Sequence, residues 1–488
     1  MSWLLPAAVA VPILGAGLVV AVGRRLLAQR MIAGGSVLFV LGAAIALLVE
    51  ADRAGPVVAQ MGGWPAPGGI TLIADRMSAL VLMTSALMLV AVFGYAVAQL
   101  GRSALDWWFH AKYLVLTSGV ALSLLTGDLF NLFVGFEVML VASYVLLTVR
   151  TGPREIRSTL TYVVINLVAS ILFLLIIALA YGATGTLNLA DLAVRLEDVA
   201  EPVRAGLSLL MLVVFGIKAG LFPLFMWLPD SYPTAPAPVT AIFAGLLTKV
   251  GMVIIIRTQT LLFPSDGPST LLLVVAGLTM VVGVLGAIAQ NDVKRILSFH
   301  IVSQIGYMVM GLGFLTVAGI GSAVFFLANQ VIVKTGLFLV AGLVEREQGT
   351  GALDRSGGLV HSRPVVAALF LPLALSIAGI PPFGGFIPKL GLVQAGIDLG
   401  QGVIVGVSLA VSLLTLFSMT KIWSSAFWGE PVATVGRAGR GMVGATAGVV
   451  VASLAVALVA GPAADLTLRA AADLVERSGY ITAVLGGV

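Results

Sequence analysis

Glu137 and four lysines, Lys218, Lys249, Lys334 and Lys389, fall inside long apolar runs of this sequence. Glu137 sits near the middle of a run from about Leu129 to Val149. At about 1.5 Å per residue, that run crosses a hydrocarbon core of roughly 30 Å. An acid at mid-span costs about 2.5 to 3.5 kcal/mol on insertion scales, so a chain that keeps one gives it a partner, a water-filled cavity or work to do. One acid against four lysines is no neutral set of ion pairs, and burial among like charges disfavours the charged amine. A neighbouring glutamate opposes this. At about 4 Å and an effective dielectric near 20, the attraction is of order 4 kcal/mol. Opening a Glu137–Lys218 pair would then favour proton loss from Lys218 and push a proton toward Lys249. His300, Ser303, Gln304 and Tyr307 follow at i, i+3, i+4 and i+7, one face of a helix, and extend the polar line. Each group also has a packing reading: Glu137 as a buried ion pair, a lysine on a backbone carbonyl, His300 as a satisfied core side chain. Asp128, at a helix start, reads as an N-cap.

The elements that must position these groups are membrane helices. The chain has 488 residues, 59% hydrophobic and 10% charged, with mean hydropathy +1.10. This is an all-α polytopic membrane protein in composition. Spans are expected at about 3–22, 31–49, 75–99, 111–126, 129–149, 158–181, 206–228, 237–262, 269–289, 295–316, 318–343, 364–395, 401–424 and 441–461. Met1 to Val22 reads as the first span, because Arg24 and Arg25 follow the apolar stretch instead of preceding it. Two spans are interrupted. The seventh reads Gly216-Ile217-Lys218-Ala219-Gly220-Leu221-Phe222-Pro223, and the twelfth passes through Pro381, Pro382 and Pro388 to Lys389. Proline removes a backbone donor and clashes with the preceding turn, so both helices should unwind beside a lysine. Broken helices five spans apart predict two five-helix repeats, spans 4–8 (about 111–262) and 9–13 (about 269–424), inverted in the membrane within one domain of residues 1–488.

Basic residues orient the chain. With the N-terminus outside, Arg24, Arg25, Arg30, Arg102, Lys112, Arg150, Arg154, Arg157, Lys294, Arg295, Arg346, Arg355, Arg363, Arg437 and Arg440 lie inside. They outnumber Arg53, Arg76, Arg195, Arg204, Arg257, Arg469 and Arg477 outside, which places both termini externally. Lys421, near a helix end, reads as a snorkelling side chain without function. The pI near 9.6 follows from these loops and does not call for nucleic acid. There are no cysteines and only three scattered histidines, which leaves no thiolate site, no HExxH pairing and no expected cofactor or metal.

The strings TGDLFNLFVGFEVMLVASYVLL, GIKAGLFPLFMWLPDSYPTAPAPVTAIFAGLLTKVG, NDVKRILSFHIVSQIGYM and AGIPPFGGFIPKLGLVQA resemble the proton-translocating, antiporter-like subunits shared by respiratory complex I, membrane hydrogenases and Mrp sodium/proton antiporters. The resemblance runs from the third span onward, and GDLFNLFV is most similar to the D subunits of the Mrp type. It implies a fourteen-helix core with inverted repeats, discontinuous helices 7 and 12, and a midplane proton path onto which Glu137, Lys218, Lys249, Lys334 and Lys389 map, to which the polar strip adds His300. Some relatives carry glutamate at the twelfth-helix position. The resemblance further implies partner subunits of the Mrp A, B, C, E, F and G types, a cell-membrane location, and protons and sodium as the transported ions. The lysine-rich axis is poor chemistry for a sodium site of oxygen ligands, so the sodium path is expected mainly in a partner. The alternative is a proton-pumping subunit of complex I or a hydrogenase. A third reading is a structural subunit with a vestigial polar axis.

Overall fold

The computed structural model describes residues 1–100, 108–148, 152–265, 267–430 and 435–486. Arg102 and Arg150, and the side chain of Arg154, lie outside the described residues. Among the described residues, twelve helices are long and apolar enough to cross a membrane, and two shorter apolar helices, Phe109–Leu125 and Pro364–Ala378, stand with them. In chain order they are α1 Leu4–Ala21, α2 Leu26–Ala54, α3 Arg76–Leu100, α4 Phe109–Leu125, α5 Leu129–Leu147, α6 Pro153–Thr184, α7 Glu201–Ala219, α8 Ala237–Leu262 and α9 Thr270–Ile288. They continue as α10 Val293–Gly313, α11 Val317–Gln348, α12 Pro364–Ala378, α14 Gly402–Trp428 and α15 Arg440–Leu458, with a further half-helix, α13 Phe386–Asp398, between α12 and α14. An antiparallel pair, β1 Val57–Gln60 and β2 Thr71–Ala74, marks one end of the bundle, the strand face.

The bundle turns its polarity inward. The central turns of α8 and α11 are enclosed by other helices and those of α10 nearly so, and these three carry Lys249, Lys334 and His300. The outer helices bury only one side. Leu14, Leu38, Ile171 and Leu413 project outward from α1, α2, α6 and α14, as lipid-facing residues do.

Both expected interruptions are present. α7 stops at Ala219, Gly220 takes a left-handed φ of 83°, and helix resumes only at Trp227, so Pro223 lies in non-helical chain. α12 stops at Ala378, Gly379 has φ 81°, and α13 begins at Phe386, which leaves Pro381 and Pro382 between two half-helices. Backbone groups exposed by the breaks find partners. Trp227 Nε1 donates to Ile217 O at 3.0 Å, Phe222 N to Thr279 Oγ1 at 3.2 Å, and Gly385 N to Ser376 Oγ at 3.1 Å. The enclosed helix α8 departs from regularity beyond its first-turn Pro238, passing through π-helical turns at Phe243–Leu247 and Thr258–Leu262 that contain no proline.

Helix starts recur in a pattern. Asp128 accepts from Asn131 N at 2.7 Å and pairs across a bridge with Asn188, while Asp292 accepts from Arg295 N at 3.0 Å and pairs with Ala352. The separation from Asp128 to Asp292 equals that from Asn188 to Ala352. Asp128 therefore caps its helix, and burial pushes its carboxyl up against the opposing donation from Asn131 and Phe130.

After α15, the amphipathic helix α16 Ala460–Glu476 and the short α17 Ser478–Leu485 return over the strand face. Arg76 bridges Asp52 at 2.8 Å and Asp473 at 2.6 Å, Arg469 reaches Asp52 at 3.0 Å, and Arg477 meets Glu197 at 3.2 Å. Arg257, counted on the external side at the end of the eighth span, is buried, ion-paired with Asp75 and stacked 4.8 Å from the Tyr480 ring. Burial raises the Asp75 carboxyl, but the Arg257 charge and the Ser78 hydrogen bonds outweigh it and hold the group below the usual carboxylate range.

Candidate functional site

The polar line begins on α5. Glu137 is half-buried, and its helix face carries the exposed Phe130 and Val141, so the carboxylate stands at a flank of the chain and not in its centre. Ser170 of α6 donates its hydroxyl to Glu137 Oε1. Lys218, on the last turn of α7 before the break, donates to Ser170 Oγ at 3.3 Å and to Asn166 O at 3.2 Å. The direct Glu137–Lys218 pair expected from the sequence is therefore corrected to a serine-bridged one. A lysine N–H points at a hydroxyl oxygen whose own hydrogen points at a carboxylate, which is the order a proton relay needs. The Phe136 ring lies 6.0 Å from Lys218 Nζ and closes one side.

The next amine sits one helix inward. Lys249 is fully buried and donates to the carbonyl of Ala244, five residues earlier on α8. Ala244 belongs to the first π turn. A π turn displaces carbonyls from the regular ladder, and here one of them serves the ammonium. Two glycines bring α8 close to its neighbours. A Cβ at Gly251 would lie 2.8 Å from Ala219 N, at the end of α7, and one at Gly245 would collide with Thr335 of α11. Lys249 thus rides on a helix seated directly against the Lys218 break on one side and the Lys334 helix on the other.

Lys334 is the least satisfied group. Its Nζ is fully buried without a hydrogen-bond partner among the described residues, and so are both amide atoms of Gln304 and of Gln330 and the Nδ1 of His300. Buried polar atoms are normally paired, with protein or with water, and these have no protein partner among the described residues. His300 Nε2 meets Ser418 Oγ, which in turn donates to Thr415 O at 3.0 Å.

At the far end Lys389, near the start of α13, reaches back across its own break. It donates to Ile377 O at 3.0 Å, Ala378 O at 3.4 Å and Ser412 Oγ at 3.0 Å, and lies 4.4 Å from the Tyr307 ring centre. Tyr307 OH joins Ser412 Oγ at 2.8 Å and donates to Ser408 O at 2.6 Å. Of the expected strip on α10, His300 and Tyr307 face α14, whereas Ser303 turns to Met280 O at 3.1 Å on α9.

Several participants were not legible. Ser170, Ser412 and Ser418 are single hydroxyls in apolar spans, a common pattern that singles out nothing. Gln330 stands one helical turn before Lys334, a signal that could have been read. Two lysines depart from their expected places. Lys294 is not a loop residue: it is buried on α10, paired with Glu345 Oε2 at 2.7 Å and donating to Ala235 O at 3.2 Å. Lys421, expected to reach for headgroups, has protein partners. It caps the end of α9 through Ile288 O at 3.0 Å, Gln290 O at 2.7 Å and Asn291 Oδ1 at 2.8 Å.

This geometry has relatives. The chain is 47% identical over 405 residues, 82% of each sequence, to a protein of Alkalihalophilus pseudofirmus named as the D subunit of an Na(+)/H(+) antiporter. Its fold matches a chain in the structure of the Mrp complex from Dietzia sp. DQ12-45-1b with TM-score 0.93 and 34% identity, covering 99% of both chains. It also matches a chain of the membrane-bound sulfane sulfur reductase, an archaeal respiratory membrane complex, with TM-score 0.91 and 27% identity over 99% of both chains. Residues 126–415 match the family described as NADH:quinone oxidoreductase/Mrp antiporter, transmembrane, and with that match across the whole polar line the chain belongs to this family of antiporter-like membrane subunits.

Proposed function

We propose that this chain is the D-type, proton-translocating subunit of a multisubunit sodium/proton antiporter, and that protons move along Glu137, Lys218, Lys249, Lys334, His300 and Lys389. The observation that carries the reading is the continuous donor order from Lys218 through Ser170 to Glu137. Beyond it lie an amine held by a displaced carbonyl, a buried amine with no hydrogen-bond partner among the described residues, and an amine held at the second break. When the Glu137 carboxylate takes up a proton, its hold on Lys218 through Ser170 weakens, and Lys218 can release a proton inward. The two breaks supply carbonyls and slack for the amines to change partners. The matching helix starts at Asp128 and Asp292, and the matching breaks at Gly220 and Gly379, support two repeats of about 111–262 and 269–424.

Glu137 also argues for a partner. A carboxylate on a flank shared with Phe130 and Val141 would face hydrocarbon in an isolated chain, and the cost of that exposure is met if another subunit covers it. The basic residues support a cell-membrane orientation with the strand face outside. The axis is rich in amines and poor in oxygen ligands, which supports placing the sodium route in a partner subunit. The second reading, a subunit of a redox-driven complex, is favoured by the match to the sulfane sulfur reductase chain. The test is sodium-driven proton flux in membrane vesicles carrying the assembled complex, with Glu137→Ala and Lys218→Ala. Loss in both is expected, and unchanged flux in both would sink the assignment. Flux that runs only with a reductant and an electron acceptor would select the redox reading.

A further inference from the structure

Opposite the strand face, α12 and α15 pack together at their first turns around an open groove of about 800 Å³. Three arginines, Arg363, Arg437 and Arg440, line it. Among the described residues the acid in its lining, Glu347, is buried and committed. Its carboxylate takes Arg363 Nε at 2.7 Å and Ala438 N at 2.8 Å, and its backbone carbonyl takes Val435 N at 2.8 Å. Arg363 is thereby neutralised. Arg437 and Arg440 are exposed and have no ion pair among the described residues, so two positive charges in the lining have no counter-charge among the described residues. Both helices that open into it add to that sign, since neither first turn carries a capping side chain or an acid.

Beside the arginines, the exposed Val365 and the half-buried Val443 give the groove an apolar track along two membrane helices. An inorganic anion would use the arginines and leave that apolar track exposed, whereas a headgroup with its attached chain matches both parts. The site also lies on the face where basic residues are concentrated, the side on which anionic lipids meet membrane proteins.

We infer that this groove binds an anionic phospholipid, its phosphodiester between Arg437 and Arg440 and an acyl chain along Val365 and Val443. The bound lipid braces the first half of the broken helix, α12, whose terminal carbonyls hold Lys389.

The assembled complex, purified in mild detergent, is titrated with phosphatidylglycerol or phosphatidylcholine, and retained lipid is read by native mass spectrometry. The intact complex should retain phosphatidylglycerol preferentially. Arg437→Gln with Arg440→Gln should weaken retention roughly 30-fold, from about fivefold per arginine near a membrane surface. Each single variant should show its own fivefold share, which keeps the test open if the double variant fails to assemble. Arg355→Gln, an exposed arginine on the same face outside the groove, should change nothing. Equal retention of the two lipids, an equal loss in the Arg355 variant, or displacement of the lipid by inorganic phosphate alone would each overturn the site.

Discussion

The Ser170 hydroxyl donates to the Glu137 carboxylate from a neighbouring helix, and no second side chain hydrogen-bonds that carboxylate among the described residues. The same oxygen accepts from Lys218, so one atom stands between the acid and the first amine. Ser170→Ala removes that atom and little volume. A hydrogen bond to a charged group is worth about 1.5 to 3 kcal/mol, so proton flux should fall roughly 10- to 100-fold. Ser170→Thr should restore most of it. Flux in vesicles measures both, and an alanine variant at full rate would show that the hydroxyl is a bystander.

Lys334 offers a separation of stability from function. An amine buried without a partner costs its desolvation, and an apolar side chain of similar length removes that cost. Lys334→Met should therefore raise the thermal midpoint of the purified complex, by about 1 to 3 kcal/mol in unfolding free energy, while flux collapses. A variant that loses both would make Lys334 a structural residue.

Gly251 tests the contact between α8 and the first break. Any side chain there meets the backbone of Lys218 and Ala219, and overpacking of this kind costs about 1 to 3 kcal/mol. Gly251→Val should lower the thermal midpoint and slow flux together. Gly206→Val on α7, where an added Cβ meets nothing, should do neither.

Much of this arrangement could be read from the chain, and the parts that could not share a cause. The two breaks were legible because proline and glycine punctuate Gly220 to Pro223 and Gly379 to Pro382. The π turn holding Ala244 was not, because Phe243 to Leu247 is ordinary apolar sequence and the turn arises from how α8 fits between α7 and α11. Lys218, Lys249, Lys334 and Lys389 announced themselves by charge in apolar runs. Lys294 hid behind the adjacent Arg295 and the loop composition around it, and its partner Glu345 lies at the end of a helix longer than hydropathy indicated. Ser170 was invisible for a different reason: a lone serine becomes a bridge only when two other helices bring their charges to it.

Asp75 supplies a pH dependence. Its carboxyl titrates lower in the folded chain than in an unfolded one, near 3.9 for an ordinary aspartate, so folding excludes its proton. The associated stability is present above that ordinary value and is lost as pH falls through the depressed one. Asp75→Asn should flatten the acid limb of a thermal-midpoint profile. Above that window it should destabilise by about 3 to 5 kcal/mol, because Arg257 is left buried and unpaired. A variant with an unchanged acid limb would place the acid sensitivity elsewhere.

The ionic ties over the strand face have a temporal meaning. Arg76 and Asp473 are 397 positions apart in sequence, and Asp52 and Arg469 are 417 apart. During synthesis, α2 and α3 enter the membrane with Asp52 and Arg76 lacking these late partners, and the clasp closes only after every span bearing the proton line has been inserted. The clasp thus acts as a completion seal, fastened only on chains whose interior has already been threaded.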